Sequence, residues 1–389
     1  MTDPKSQKNI IPVGPLKLAV LEGCGELGKK VDYYLSDYRH NSPICQIREN
    51  FAIPGYVEDS YLLKCSCPRF GTGEGKGFIQ ESVRGCDLFI LADVTNNSLT
   101  YRVCGQENHM SPDDHYQDLK RIISAANGKA NRITVIMPFL YEGRQHRRSM
   151  RESLDCALSL QELVEMGVSN IVTFDAHDPR VQNAIPLNGF DSFMPTFQFL
   201  KALTENFPDL ILDSDHLMAI SPDEGAMNRA IYFANLLGID MGTFYKRRDY
   251  TRIENGKNPI VAHEFLGSSV EGKDVVVVDD MISSGGSMLD VAKKLKEERK
   301  AKRVFVCTTF GLFTDGVKDF NEYYEKGYIT KVLTTNLNYR SPEVFDCPWY
   351  LEVDMSKYLA SIIDHLNHDI SISGLQSPTE RIQGLLEKL

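Results

Sequence analysis

Hydrophobic positions along the chain fall into two alternating kinds of run. LFILADV (88 to 94), ITVIMPF (133 to 139), NIVTFDA (170 to 176), LMAISPD (217 to 223), DVVVVDD (274 to 280) and VFVCTTF (304 to 310) are short, β-rich and nearly uninterrupted, as strands covered on both faces are. Between them lie amphipathic stretches with helical spacing: HYQDLKRIISAANG, LDCALSLQELVEMG, EGAMNRAIYFANLLG and MLDVAKKLKEERK. Several close on glycine, a common helix C-terminus. Strand and helix in alternation predict βα units and a mainly parallel sheet flanked by helices. The alternation runs once before about residue 190 and again after it, so the expected architecture is α/β with two similar domains, 1–190 and 191–389. Residues 1–15 read as a loose tail and about 40–68 as an irregular insertion. The last helix is free, on this reading, to pack back on the first domain.

Composition narrows the function classes. At 389 residues, with 42% hydrophobic and 25% charged positions, this is an ordinary soluble globular chain of two-domain size. A net charge of -10 argues against a nucleic-acid surface, which would call for a basic patch. The opening MTDPKSQKNI has no apolar core of a leader, and no apolar run approaches the roughly 18 residues of a membrane span. A cytoplasmic protein without membrane partners is expected. Nine scattered cysteines read as reduced core residues, and Cys65 with Cys67 lacks the second pair that a zinc site needs.

The candidate chemistry starts at DVVVVDDMISSGGSM. Val275 to Val278 place Asp279 and Asp280 at the carboxyl end of a strand, where open α/β sheets bind ligands. Ser283, Ser284, Gly285, Gly286 and Ser287 then offer accessible amides and hydroxyls ahead of a helix, a phosphate cradle in the making. The plain alternative is a turn with a helix cap at Ser287. Asp223 stands at another strand-to-helix corner, in SPDEGAMNRA, where the helix dipole alone could favour a carboxylate. In NIVTFDAHD, Asp175 and His177 share a strand end. YEGRQHRRSMR concentrates arginines from Arg144 to Arg151, suited by their forked guanidinium groups to phosphate. FYKRRDYTRIENGKNPIVAHEF leaves a strand through Lys246, Arg247 and Arg248 into a long polar segment that reads as a lid.

Taken in order, these elements resemble the ribose-phosphate diphosphokinase (PRPP synthetase) family from about Leu16 to the C-terminus. They are Phe70 and Glu74 before ESVRGCD, the Arg-Gln pair, Asp-x-His, Ser-Pro-Asp, Lys-Arg-Arg, and the Asp-Asp loop. The resemblance implies two phosphoribosyltransferase-like domains that move the diphosphoryl group of ATP to ribose 5-phosphate. It further implies that Phe70 and Glu74 contact adenine from a neighbouring subunit and that Arg144, Gln145 and His177 bind ATP. His177 and Asp223 would serve Mg²⁺; Lys246 and Arg248, with His177, would act in catalysis; Asp279, Asp280 and residues 283–287 would hold ribose 5-phosphate. A homo-oligomer, hexameric in the family, is implied too. The chain departs from the family with His146 after Arg-Gln, and with Ser283 where an acid is usual. Two other readings stand beside this one: a type I phosphoribosyltransferase, which needs only the Asp-Asp loop, and a non-catalytic regulatory homologue.

Overall fold

The computed structural model describes residues 11–41, 54–248 and 260–387, with the backbone alone for 246–248 and 260–263. It divides into two compact units. The first takes the chain up to Met194 together with Asn336–Tyr339 and Asp354–Ser377; the second takes Pro195–Thr335, Arg340–Val353 and the chain from Pro378.

The first unit is built on a parallel sheet whose strands lie in the order Gly189–Phe193, Asn170–Phe174, Arg132–Ile136, Asp87–Leu91, Leu16–Val20, Leu62–Leu63. Asp87–Leu91 is buried at every position, as its unbroken apolar run predicts. Helices Gly25–His40, Pro112–Ala126 and Asp155–Glu165 accompany the sheet. Pro112–Ala126 begins with a capping box, Ser111 with Asp114, and ends at Asn127 in the left-handed region. A separate antiparallel hairpin pairs Thr100–Val103 with Gln106–His109.

Two expectations about this half change. Residues 13–15 of the expected tail are tied down: Val13 N–H donates to Asn367 O (2.8 Å), Asp87 N–H to Pro15 O (3.0 Å) and Asn131 Nδ2 to Val13 O (2.9 Å). Residues 1–10 lie outside the described residues. Within the expected insertion, Leu62 and Leu63 pair with Leu18 and Ala19 as the edge strand, and Tyr61 is buried. Residues 42–53 lie outside the described residues.

The helix Ser356–Asn367, late in sequence, belongs to the first unit. Arg39, 1% exposed, explains the attachment: its Nε donates to Asp364 Oδ1 (2.8 Å), its Nη2 to Asn367 Oδ1 (2.9 Å), and its guanidinium lies 4.3 Å from the Tyr56 ring centre. A cation buried so deeply is tolerable only with such partners. The short helix Thr379–Leu386 belongs to the second unit, where Arg381 lies over Phe197.

The second sheet has the order Ile260–Leu266, Asp240–Arg248, Leu217–Ser221, Asp274–Ile282, Arg303–Gly311, Lys331–Thr335, Tyr350–Val353. All pairs are parallel except the edge hairpin of the first two. Val275 to Val278 are buried, and the strand runs on to Ile282. Helices Met227–Leu237 and Gly286–Glu297 follow the strands Leu217–Ser221 and Asp274–Ile282, with Asp223 in the turn after the first and Asp279 on the second. The eight described cysteines are free thiols, and no described helix is long and apolar enough to cross a membrane.

Candidate active site

Strand register creates the edge in the second unit. Leu217–Ser221 pairs with Asp274–Ile282 only as far as Ile220 opposite Val277, whereas Arg303–Gly311 follows it to Gly311 opposite Ile282. Asp279 and Asp280 therefore stand beyond the end of one neighbour, close to where Ser221 turns into Pro222 and Asp223. Asp280 is buried, with Arg229 Nη2 3.6 Å from its Oδ2; Arg229, itself buried, projects from the helix Met227–Leu237. Asp279 is half-buried and accepts the Asp280 amide (2.9 Å) on Oδ1. Burial, and next the charge of Asp280, push its carboxyl well above the usual carboxylate range. The pair thus sits in unequal environments.

The loop after it turns tightly. Leu312 and Thr314 donate their amides to Ile282 O (2.9 Å) and Ser283 O (3.0 Å), fixing its start. Gly285 takes φ 90° and caps the helix; a Cβ there would lie 2.4 Å from the Phe320 ring. Only glycine satisfies both conditions. The cap therefore falls at Gly285 and not at Ser287. Ser284, Gly286 and Ser287 are exposed, nothing lies within 4 Å of a Cβ placed on Gly286, and the first turn carries no acid. First-turn amides without an acidic neighbour make an anion site.

Asp223 Oδ1 accepts the amides of Gly225 (2.9 Å) and Ala226 (3.3 Å), so part of this carboxylate shapes the turn, as the plain reading expects. Lys246 and Arg248 extend the strand next to Leu217–Ser221, past the Ser221–Thr243 pairing. They are opposite His263 and Ile260, with a register shift between Arg247 and Arg248. The rest of the expected lid, 249–259, lies outside the described residues.

In the first unit, Asp175 ends its strand buried and in the left-handed region (φ 41°), its amide donating to Phe193 O (2.9 Å). That turn brings His177 to the surface and Asp178 inward. Arg180 forks onto Asp178 (2.9 and 3.1 Å from Nε), and these hydrogen bonds hold the Asp178 carboxyl down, at about 2. His146 approaches from the arginine loop, with Nε2 3.4 Å from Asp178 Oδ2 and its ring 5.5 Å from that of His177. Arg144 and Gln145, exposed, precede it. Adjacent strands thus unite the Arg-Gln loop with His177. Phe70 and Glu74 share a separate turn: Phe70 N–H donates to Glu74 O (2.8 Å), Thr72 Oγ1 holds the Glu74 carboxylate (2.8 Å), and the Phe70 side chain is largely exposed.

Arg229 and Asp178 escaped the sequence reading. Arg229 lay six positions after Asp223 in a quoted motif, a usable signal; Asp178 became visible only through Arg180 and His146. Among the described residues, no three His, Cys, Asp or Glu side chains meet to hold an ion. Mg²⁺ asks for less, since it commonly takes one or two carboxylates, keeps waters and completes its shell with substrate phosphates. Asp223, whose two turn hydrogen bonds both fall on Oδ1, fits that partial donor set.

Two α/β units, each with a mainly parallel sheet, and a carboxylate pair ahead of an anion-binding glycine loop define a protein of the phosphoribosyltransferase type. The domain comparisons are more specific: residues 16–167 match the N-terminal domain of ribose phosphate pyrophosphokinase, and 197–343 match the phosphoribosyl transferase domain. The ribose-phosphate pyrophosphokinase of Vibrio parahaemolyticus serotype O3:K6 is 30% identical over 318 residues, spanning 81% of this chain and 91% of its own length. That of Thermosipho africanus is 31% identical over 319 residues, spanning 80% and 89%. The crystal structure of phosphoribosylpyrophosphate synthetase from Mycobacterium smegmatis shares the fold with TM-score 0.70 at 22% identity, over 91% of this chain and 99% of that one. The chain belongs to the ribose-phosphate pyrophosphokinase family of transferases.

Proposed function

We propose that this protein transfers the diphosphoryl group of ATP to the C1 hydroxyl of ribose 5-phosphate, giving PRPP and AMP. The observation that carries the reading is the second unit's sheet edge, where Asp279 and Asp280 precede an acid-free, glycine-capped helix start. Carboxylates accept hydrogen bonds from the pentose hydroxyls, while the amides and hydroxyls of Ser283, Ser284, Gly285, Gly286 and Ser287 take the 5-phosphate. Arg229 gives the buried Asp280 a cationic neighbour, 3.6 Å away. Neither role needs a covalent nucleophile.

ATP is assigned to the first unit's groups: Arg144, Gln145 and His177 at the triphosphate, Phe70 and Glu74 at the base. His177 and Asp223, each taken within its own unit, are the candidate Mg²⁺ ligands, and the ion would supply charge neutralisation on the triphosphate. Lys246 and Arg248 would set positive charge against the negative charge of the transferred diphosphoryl group, and catalysis rests on positioning and electrostatics. A homo-oligomer is part of the proposal, measurable by light scattering.

Purified protein with Mg²⁺, ATP and ribose 5-phosphate should yield AMP and PRPP in equal amounts. ADP as product would make it an ordinary kinase. Intact binding of both substrates without turnover would instead identify a regulatory homologue.

A further inference from the structure

The Phe70–Glu74 turn is braced by an element that the reaction does not otherwise use. Arg69, the residue before Phe70, forks onto Asp118 (2.8 and 2.9 Å), and Arg121 reaches the same carboxylate (2.6 Å). The other side of the Arg69 guanidinium meets the Tyr101 ring, 4.8 Å from its centre. Tyr101 lies on the hairpin Thr100–Val103/Gln106–His109, and its hydroxyl donates to Asp114 Oδ1 (3.0 Å). Asp114 and Asp118 are four residues apart on the helix Pro112–Ala126 and so share one face. One helix thereby anchors both the turn and the hairpin.

The hairpin also touches the turn directly. Cys104 donates its amide to Gly71 O (2.8 Å), and a Cβ on Gly73, where φ is 92°, would stand 3.0 Å from Val103 Cγ2. At Gly75 a Cβ would lie 2.2 Å from Arg69 Nη1, so the glycines of FGTGEG let the brace close.

We infer that the Thr100–His109 hairpin is a positioning element for nucleotide recognition, with Tyr101 and Arg69 as its positioning residues. This rests on the reading of Phe70 and Glu74 as base contacts. An exposed aromatic on a five-residue turn samples many poses, and a base stacks well on few of them. Holding Arg69 between Asp118 and Tyr101, and Gly71 against Cys104, removes that freedom before ATP arrives, which is how preorganisation raises affinity. The brace should favour adenine over other bases, because it fixes where the ring and Glu74 stand relative to each other.

Steady-state kinetics of Phe70→Ala, Tyr101→Ala and Tyr101→Phe, with ATP and with GTP, test this. Tyr101→Ala should raise KM for ATP about fivefold, the scale of a lost cation–π contact. It should narrow the preference for ATP over GTP while kcat and KM for ribose 5-phosphate stay within about twofold. Tyr101→Phe keeps the ring and should keep the ATP KM. Thermal melting of each variant separates positioning from stability. A raised ATP KM in Phe70→Ala with none in Tyr101→Ala, at equal melting temperatures, overturns the inference alone. An unchanged ATP KM in Phe70→Ala overturns the base-contact reading of the turn, and the inference with it.

Discussion

Asp274 and Arg303 occupy the first positions of two paired strands, and Arg303 grips Asp274 with Nε (2.9 Å) and Nη2 (2.7 Å). Asp87 and Arg132 stand in the same relation in the first unit, at 2.9 and 2.7 Å. A forked aspartate–arginine pair thus closes the amino end of each sheet, opposite the edge proposed to bind substrate. The recurrence supports kinship between the halves more directly than their sequences do.

Arg303→Ala leaves Asp274, 3% exposed, without its main partner and also abandons Asp209. The expected loss of stability is about 3 kcal/mol, the usual cost of stranding one member of a buried pair. Denaturant titration of the variant checks it; a loss below about 1 kcal/mol would class the pair with exposed salt bridges.

On the proposed reaction, in which they neutralise charge that develops during transfer, Lys246→Ala and Arg248→Ala should lower kcat by about 10² with smaller effects on KM. Normal kcat per folded molecule would remove both from the reaction.

Asp279 gives a pH signature. Its carboxyl titrates above the usual range in the folded protein because of burial and Asp280, so the unfolded chain ionises first as pH rises. Stability contributed by the protonated form is complete below the unfolded carboxylate range, near about 4, and falls as pH climbs from there toward the folded value. Asp279→Asn should therefore be more stable than the parent at neutral pH, with the difference vanishing in acid, while binding of ribose 5-phosphate weakens. Melting curves from pH 3 to about pH 8 and a ribose 5-phosphate titration measure the two effects. A pH-independent difference would mean Asp279 carries no such strain.

Ser283→Asp adds charge to the proposed phosphate loop, so it should alter KM for ribose 5-phosphate and leave ATP binding nearly unchanged. Asp280→Asn should weaken ribose binding and lower turnover through lost acceptor strength. Should both substitutions weaken ATP alone, the loop would be a nucleotide cradle.

What the sequence disclosed depended on whether the signal was local. Val275 to Val278 announce a two-sided strand by composition alone, and Asp279 to Ser287 follow from it. Leu62–Leu63 is too short to show alternation, and its pairing with Leu18 and Ala19 is a long-range fact. The Thr100–His109 hairpin has an apolar pattern of only Tyr101 and Val103; the Cys104-Gly105 turn, positive in φ at both residues, was its one cue. Arg39 looks like any helix-terminal cation until Asp364 is placed beside it. His146, noted as a departure from the family, acquired a partner only when the strand ends met at Asp178.

The return of Ser356–Asn367 to the first unit imposes an order on synthesis. Asp364, which neutralises Arg39, is made 325 residues after it, when almost all of the second unit's chain has already been translated. Domains that are contiguous in sequence can fold as they emerge, the first ahead of the second. Here the second unit's main segment, 195–335, is available before the first can seal its own core. A released chain truncated after Val353 should hold residues 195–353 protease-resistant while Arg39 and its surroundings remain open to cleavage.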